Sequence, residues 1–311
     1  MQHSPIWAVT SYFNPVRYKR RLENFHHFRR HLGIPLLAVE LSFDGRFELE
    51  DCDAEILIRV TDGDVLWQKE RLLNIGIRDL PPACRTVACV DCDIVFGRPD
   101  WVDRAEEQLE LYPMVQPFGK IHYMGPEWKP SDDRAANTEL IQRSIAFAVA
   151  HKQYGPELMG TVIPRNTNTV APGFAWIFRR NLVGQHGLYD GHIVGGGDKA
   201  IACAAWGWMD AIVGAHGMNP RQERYYRDWA EPFYDAVRGQ VGCVEGDIFH
   251  LWHGKLDDRQ NGKRHSAFRQ FEFDPFQDVA PDASGCWRWN SDKPRLHAYL
   301  RDYFSARKED G

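Results

Sequence analysis

No apolar run in the 311-residue chain approaches the roughly 18–20 residues that cross a bilayer. The opening Met1-Gln2-His3-Ser4 lacks the charged segment and apolar stretch of a secretory leader, so a soluble, cytoplasmic chain is expected. Cysteine is sparse and odd in number, with seven scattered residues at 52, 84, 89, 92, 203, 243 and 286. That pattern argues against a secreted disulfide framework and for reduced thiols. A strong excess of either charge is missing too: the net charge is −5 and the pI near 6.2, which gives no global attraction to nucleic acid or anionic lipid. Internal repeats and low-complexity linkers are absent, which favours one continuous domain. The 43% of hydrophobic residues is enough for a substantial core in a chain of this length.

The chain opens as strand, turn, helix. Ile6–Val9 is an apolar run, Asn14-Pro15 offers a helix cap with proline at the first turn, and Tyr18, Leu22, Phe25, Phe28 and Leu32 recur at helical spacing. Gly33-Ile34-Pro35 stops that helix, and 36–39 and 55–58 read as further strands. Asp64 reads as the cap of a second helix spaced by Leu66, Leu73, Ile77 and Leu80, and 87–90 as a strand buried on both faces. Asp100 reads as the cap of a helix carrying Trp101, Ala105, Leu109 and Tyr112, followed by a strand at 114–118. The stretch 119–172 is looser, with one helix expected near 137–150. Strands are expected at 174–178 and within 241–253, and a helix over 198–206. The last fifty residues show little periodicity and read as a wrapping tail. Alternating strands and helices predict an α/β, Rossmann-like, mixed but mostly parallel sheet flanked by helices, with ligands beyond the carboxyl ends of its strands.

Three D-x-D triplets occur, at 51–53, 62–64 and 91–93. Turns produce such triplets readily. Only Asp91-Cys92-Asp93 follows a buried strand at the edge where ligands collect, so its carboxylates need a partner for their charge. A hard divalent cation completed by phosphate oxygens meets that need, and a solvated acidic turn explains the segment equally well. Cys89 and Cys92 have zinc-like spacing, but positions i and i+3 point to opposite faces of a strand and no second pair completes a cage. Gly195-Gly196-Gly197-Asp198 combines close backbone approach with an aspartate that is either a helix cap or a base aimed into a cleft. It does not complete a P-loop. His250 and His253, three residues apart near a strand end, are candidate ligands for a transition metal, although lone histidines are more often structural.

Taken in order, these blocks resemble the β-1,4-galactosyltransferase-like group of inverting GT-A glycosyltransferases, from about Val9 to His253. Residues 64–76 are similar to that family's block before its D-x-D, with Trp67 and Lys69 on its nucleotide-contacting positions. Residues 172–198 are similar to its sugar and acceptor region, where the family has Gly-Gly-Glu-Asp and Gly197 here replaces the glutamate. His250-x-x-His253 matches its metal segment. The resemblance implies a GT-A-like domain over 1–255, with a nucleotide-binding half at 1–95, a sugar and acceptor half at 96–255, and a packed tail at 256–311. It implies Mn²⁺ or Mg²⁺ on Asp91, Asp93 and His253, with His250 as an additional ligand. Asp198 becomes the catalytic base. Thr10, Tyr12, Trp67, Lys69, Arg71, Asp91, Gly196 and Gly197 become donor contacts, although the loop carrying Thr10 and Tyr12 keeps the family pattern only in part.

The implied reaction is inverting transfer of a hexose (galactose, glucose or N-acetylhexosamine) from a UDP-sugar to a hydroxyl of a glycan or glycolipid precursor. A modified base in DNA is a second acceptor class, suggested by basic runs at 17–21 and 221–227 that solvated helix faces explain at least as well. Two readings from other classes use the same residues. A metal-dependent nucleotide-sugar phosphohydrolase would pass the donor to water, and a non-catalytic nucleotide-sugar-binding module would have no use for Asp198.

Overall fold

The computed structural model describes residues 6–128, 138–159, 170–260 and 263–311. It opens with β1 (Ile6–Phe13), α1 (Lys19–Leu32), β2 (Leu36–Leu41), β3 (Ile56–Val60), α2 (Lys69–Asp79) and β4 (Thr86–Val90). The four strands are parallel, in the order β4-β1-β2-β3. Alternate residues of β1 serve opposite cores: Trp7, Val9 and Phe13 join Leu72 and Leu73 of α2, while Ile6, Ala8 and Tyr12 join Phe25 and Phe28 of α1. Both faces are covered, which is why these strands read as unbroken apolar runs.

Two expected caps do other work. Asn14 accepts the Tyr18 N–H at 2.9 Å and closes a turn, so α1 starts at Lys19; its first amides are capped instead by Asp310, from Lys19 at 3.2 Å and Arg20 at 2.9 Å. Asp64 accepts the Trp289 N–H at 2.7 Å, and α2 starts five residues later.

The middle of the chain forms β5 (Ile94–Phe96), α3 (Trp101–Leu111), β6 (Met114–Gln116), β7 (Lys120–Met124), β8 (Thr138–Ser144), α4 (Ile145–Ala150), β9 (Val170–Ala171) and β10 (Ala175–Arg179). Asp100 does not cap α3 through its side chain; it pairs with Arg98 and Arg104, each at 2.8 Å. The helix expected near 137–150 is short: residues 138–144 instead form β8, paired antiparallel with β7, and Ser144 then caps α4 by accepting the Phe147 N–H. The part of that expectation at residue 137 lies outside the described residues.

The remaining elements are α5 (Arg180–His186), α6 (Gly197–Ala205), α7 (Met209–His216), α8 (Pro220–Val237), β11 (Val241–Cys243), β12 (Asp247–His250), α9 (Arg264–Phe268), β13 (Val279–Pro281), β14 (Trp287–Trp289) and α10 (Pro294–Ala306). The tail thus carries a helix with a buried stripe of Leu296, Leu300, Tyr303 and Phe304. No helix among the described residues is long and apolar enough to cross a membrane.

The main sheet has seven strands in the order β11-β6-β10-β4-β1-β2-β3, with β10 alone running against the rest. The expected mixed, mostly parallel sheet flanked by helices is present. A second sheet, β5-β12-β7-β8-β9, lies beyond it. The chain leaves β1 toward β2 on one side and returns as β4 on the other, which makes the carboxyl ends of β1 and β4 the switch point of the sheet. Asp91–Asp93 is the connection from β4 in the first sheet to β5 in the second.

Candidate functional site

The Asp91–Asp93 connection is fixed by backbone at both ends. The Asp91 N–H donates to Phe174 O at 2.7 Å, and Asp93 O accepts the Leu251 N–H at 2.8 Å. Antiparallel pairing of Ile94 with His250 brings the end of β12 beside Asp93. Asp93, His250 and His253 consequently converge, with His253 Nε2 at 2.9 Å and His250 Nε2 at 3.9 Å from Asp93 Oδ2, and the two imidazole nitrogens 3.2 Å apart. Among the described residues these three are the group of His, Cys, Asp or Glu side chains spaced to hold a metal ion.

The donor set suits a divalent cation. Burial opposes the charged form of Asp93, yet His250, His253 and Arg259 hold its carboxyl well below the usual range. Burial and the Arg259 guanidinium push His250 well below the ordinary imidazole value, against the pull of Asp93. Asp93 Oδ1 is buried without a hydrogen-bond partner among the described residues. A buried oxygen without a donor beside two imidazole nitrogens aimed at one locus is what a bound ion satisfies.

Asp91 lies outside that group. Its carboxylate meets Lys69 Nζ at 2.6 Å, and the same ammonium meets Asp198 Oδ2 at 2.7 Å. Burial pushes Asp91 up to about 7, with Lys69 opposing and Asp198 adding to the rise. Against the cost of its own burial, Asp198 and Asp91 hold the Lys69 ammonium well above its ordinary value. Asp198 stands in the first turn of α6, near the backbone of Gly173, where a Cβ would lie 2.7 Å from Asp198 Oδ2. The next residue of α2, Glu70, fills the space beside Gly197: a Cβ there would collide with the Glu70 carboxylate. Glu70 is buried, its Oε1 has no hydrogen-bond partner among the described residues, and burial together with Asp198 pushes it up to about 8. A carboxylate therefore occupies the place of the side chain that Gly197 lacks, supplied from another helix.

The other residues singled out in the sequence are placed differently. Thr10 donates at 2.7 Å to the carbonyl of Val90, the residue before Asp91, and Tyr12 donates to Glu48 at 3.1 Å; both are fully buried on the α1 side of β1, beside the Asp91–Asp93 connection, whose Cys92 Sγ meets Ser11 O at 3.8 Å. Arg71 stacks over Trp287 at 4.3 Å and pairs with Asp190 at 3.1 Å, which anchors the β14 strand to α2. Trp67 lies edge-on to Phe13, parallel to Phe304 at 6.3 Å, and under Arg307 at 5.5 Å. In this arrangement its ring holds α10 in place. Cys89 and Cys92 are buried free thiols; burial pushes Cys92 up to about 12, and neither joins a metal group.

Gly196 packs against two imidazoles, since a Cβ there would lie 2.8 Å from His265 Nε2 and 3.0 Å from His216 Cε1. His216 in turn meets His192 at 2.9 Å. Isolated histidines at 192, 216 and 265 carry no spacing signal, so this cluster was invisible in the sequence. Burial lowers His192 to about 3, with Arg264 adding, and lowers His216 further below the ordinary value, with His265, His192, Lys199 and Arg264 adding. The unfolded chain therefore takes up protons first as pH falls, and stability drops below about pH 6.5 by roughly 1.4 kcal/mol per group per pH unit until the folded value is reached. Metal-free melting temperature is expected to fall steadily from pH 6.5 to 4.5, and His192→Asn should make that slope shallower. An unchanged slope would show that these imidazoles are not buried neutral.

No family model and no curated protein matches the sequence. Among solved structures, the chain is similar to glucosyl-3-phosphoglycerate synthase from Mycobacterium tuberculosis, solved with Mn²⁺, UDP and phosphoglyceric acid. That match has 14% identity, 86% of this chain and 77% of that one covered, and a TM-score of 0.40. The catalytic domain of Drosophila β1,4-galactosyltransferase 7 with xylobiose matches at 13% identity over 78% of this chain and 64% of that one, with a TM-score of 0.28. A 4-diphosphocytidyl-2C-methyl-D-erythritol synthase from Anaerococcus prevotii matches at 10% identity, 78% and 86% coverage and a TM-score of 0.32. The likeness is loose, and the chemistry of the site is read from its own side chains.

Proposed function

We propose that this protein is a metal-dependent GT-A glycosyltransferase that moves a hexose from a UDP-sugar to an acceptor hydroxyl with inversion. The observation that carries this reading is the convergence of Asp93, His250 and His253 at the switch point of the sheet, one connection away from the Asp91–Lys69–Asp198 array. Asp93, His250 and His253 would hold Mn²⁺ or Mg²⁺. Bound there, the ion supplies positive charge for the diphosphate leaving group.

The chain's own residues do the rest. Asp198 accepts the proton of the acceptor hydroxyl, and Lys69 orients its carboxylate through the 2.7 Å contact. Lys69, buried beside Asp91, would add positive charge for the diphosphate. Glu70, beside Gly197, offers an acceptor for a sugar hydroxyl. Gly173 and Gly197 keep side chains out of the approach to both carboxylates. A glycan or glycolipid precursor is the acceptor class this reading favours.

The test is a panel of UDP-sugars incubated with the protein and Mn²⁺, with UDP release measured with and without candidate acceptors. The expected result is release that requires Mn²⁺ and rises with one acceptor class. Release that ignores every acceptor would favour the phosphohydrolase, and tight donor binding without release would favour the non-catalytic module.

A further inference from the structure

The tail reaches the metal group from behind. Glu309 is 1% exposed, and its carboxylate meets Arg307 at 2.5 Å and Arg21 at 3.0 Å; His253 Nδ1, buried and without a hydrogen-bond partner among the described residues, stands 3.4 Å from it. The other nitrogen of that imidazole, Nε2, stands 2.9 Å from Asp93 Oδ2. One ring thus joins a tail carboxylate to the locus on which Asp93, His250 and His253 converge. A ligating histidine generally presents its second N–H to a carboxylate, which fixes the tautomer and ring orientation and strengthens the ligand.

The delivery of Glu309 is built into the fold. The Tyr18 hydroxyl donates to Ser305 O at 2.8 Å and accepts the Lys308 N–H at 3.1 Å, while Asp310 caps α1. Gly254, directly after His253, lets the tail backbone pass: a Cβ there would lie 2.7 Å from Arg307 O and 2.9 Å from Lys308 O. Phe304 lies on Trp67, which leads straight into α2 and Lys69.

We propose that Glu309 is a positioning residue for the metal site, holding His253 as the Nδ1–H tautomer so that Nε2 faces the ion. This rests on the reading that Asp93, His250 and His253 hold a divalent cation. The competing role is purely structural, with Glu309 serving only to neutralise Arg21 and Arg307.

Mn²⁺ titrations followed by the paramagnetic signal of the free ion, paired with melting curves in chelator, separate these roles. Glu309→Gln is expected to weaken Mn²⁺ binding by about 10- to 100-fold. Glu309→Asp keeps the charge against both arginines but is one methylene short of His253; it should melt close to wild type without metal and still bind Mn²⁺ at least about 5-fold more weakly. Asp310→Asn loosens the same segment at the α1 cap, and should lower the metal-free melting temperature with Mn²⁺ affinity within about twofold. Should Glu309→Gln fail to fold, Glu309→Asp decides. Wild-type Mn²⁺ affinity in Glu309→Asp, or weakening that tracks melting temperature across all three variants, would overturn the proposal. Absence of Mn²⁺ binding by the wild type would remove the metal reading and this inference with it.

Discussion

Replacing Asp198 by asparagine is expected to cut transfer by about 10²–10⁴-fold, the usual contribution of a general base. UDP and Mn²⁺ affinities should stay within about threefold of wild type, because the metal group does not include Asp198 and Lys69 keeps its 2.6 Å pair with Asp91. That combination separates a proton acceptor from a structural residue. Loss of an ion pair that only held α6 in place would instead appear as a lower melting temperature with proportionate losses of binding. Near-normal transfer by Asp198→Asn would take the residue out of the mechanism.

The second large effect is expected at Asp93. It supplies the one carboxylate of the convergent group, so Asp93→Ala leaves two imidazoles 3.2 Å apart with no negative charge between them. Mn²⁺-dependent UDP binding should weaken by two orders of magnitude or more, roughly the 3 kcal/mol scale of losing a charged partner in a buried site. Asp91→Asn is the informative contrast. Its carboxylate is engaged by Lys69, so the effect on Mn²⁺ affinity should be several-fold smaller than that of Asp93→Ala. Equal losses at both positions, measured by calorimetry with UDP and Mn²⁺, would contradict the division of labour between the two aspartates.

That division was only half legible in the sequence. The apolar run 87–90 and the triplet that follows it predicted a strand end carrying carboxylates, and β4 and the Asp91–Asp93 connection occupy that place. Strand periodicity reports which residues are buried, and the parallel order follows from alternating elements. Which of two aspartates faces an imidazole and which an ammonium depends on β12 pairing with β5 and on α2 lying across the sheet. Both are long-range facts with no local signature.

Misread caps have the same origin. Asn14 and Asp64 are good cap residues by type, but each found a different backbone partner, and the α1 cap came from Asp310, nearly three hundred positions away. Tail residues 294–306 looked aperiodic because aromatic and charged side chains interrupt the stripe of Leu296, Leu300, Tyr303 and Phe304. Glu309 and Glu70 carried no signal, since a lone glutamate is ordinarily a solvated surface residue. Only the burial shown by the structure, 1% exposure for Glu309 and 3% for Glu70, marks them as functional candidates.

Crystals grown with UDP and Mn²⁺, examined by anomalous scattering at the manganese edge, test the central claim most directly. The account predicts one strong peak enclosed by Asp93, His250 and His253, in contact with the diphosphate and separate from the Asp91–Lys69–Asp198 array. A peak on another acidic cluster, or UDP bound at the switch point with no metal on these three side chains, would contradict it.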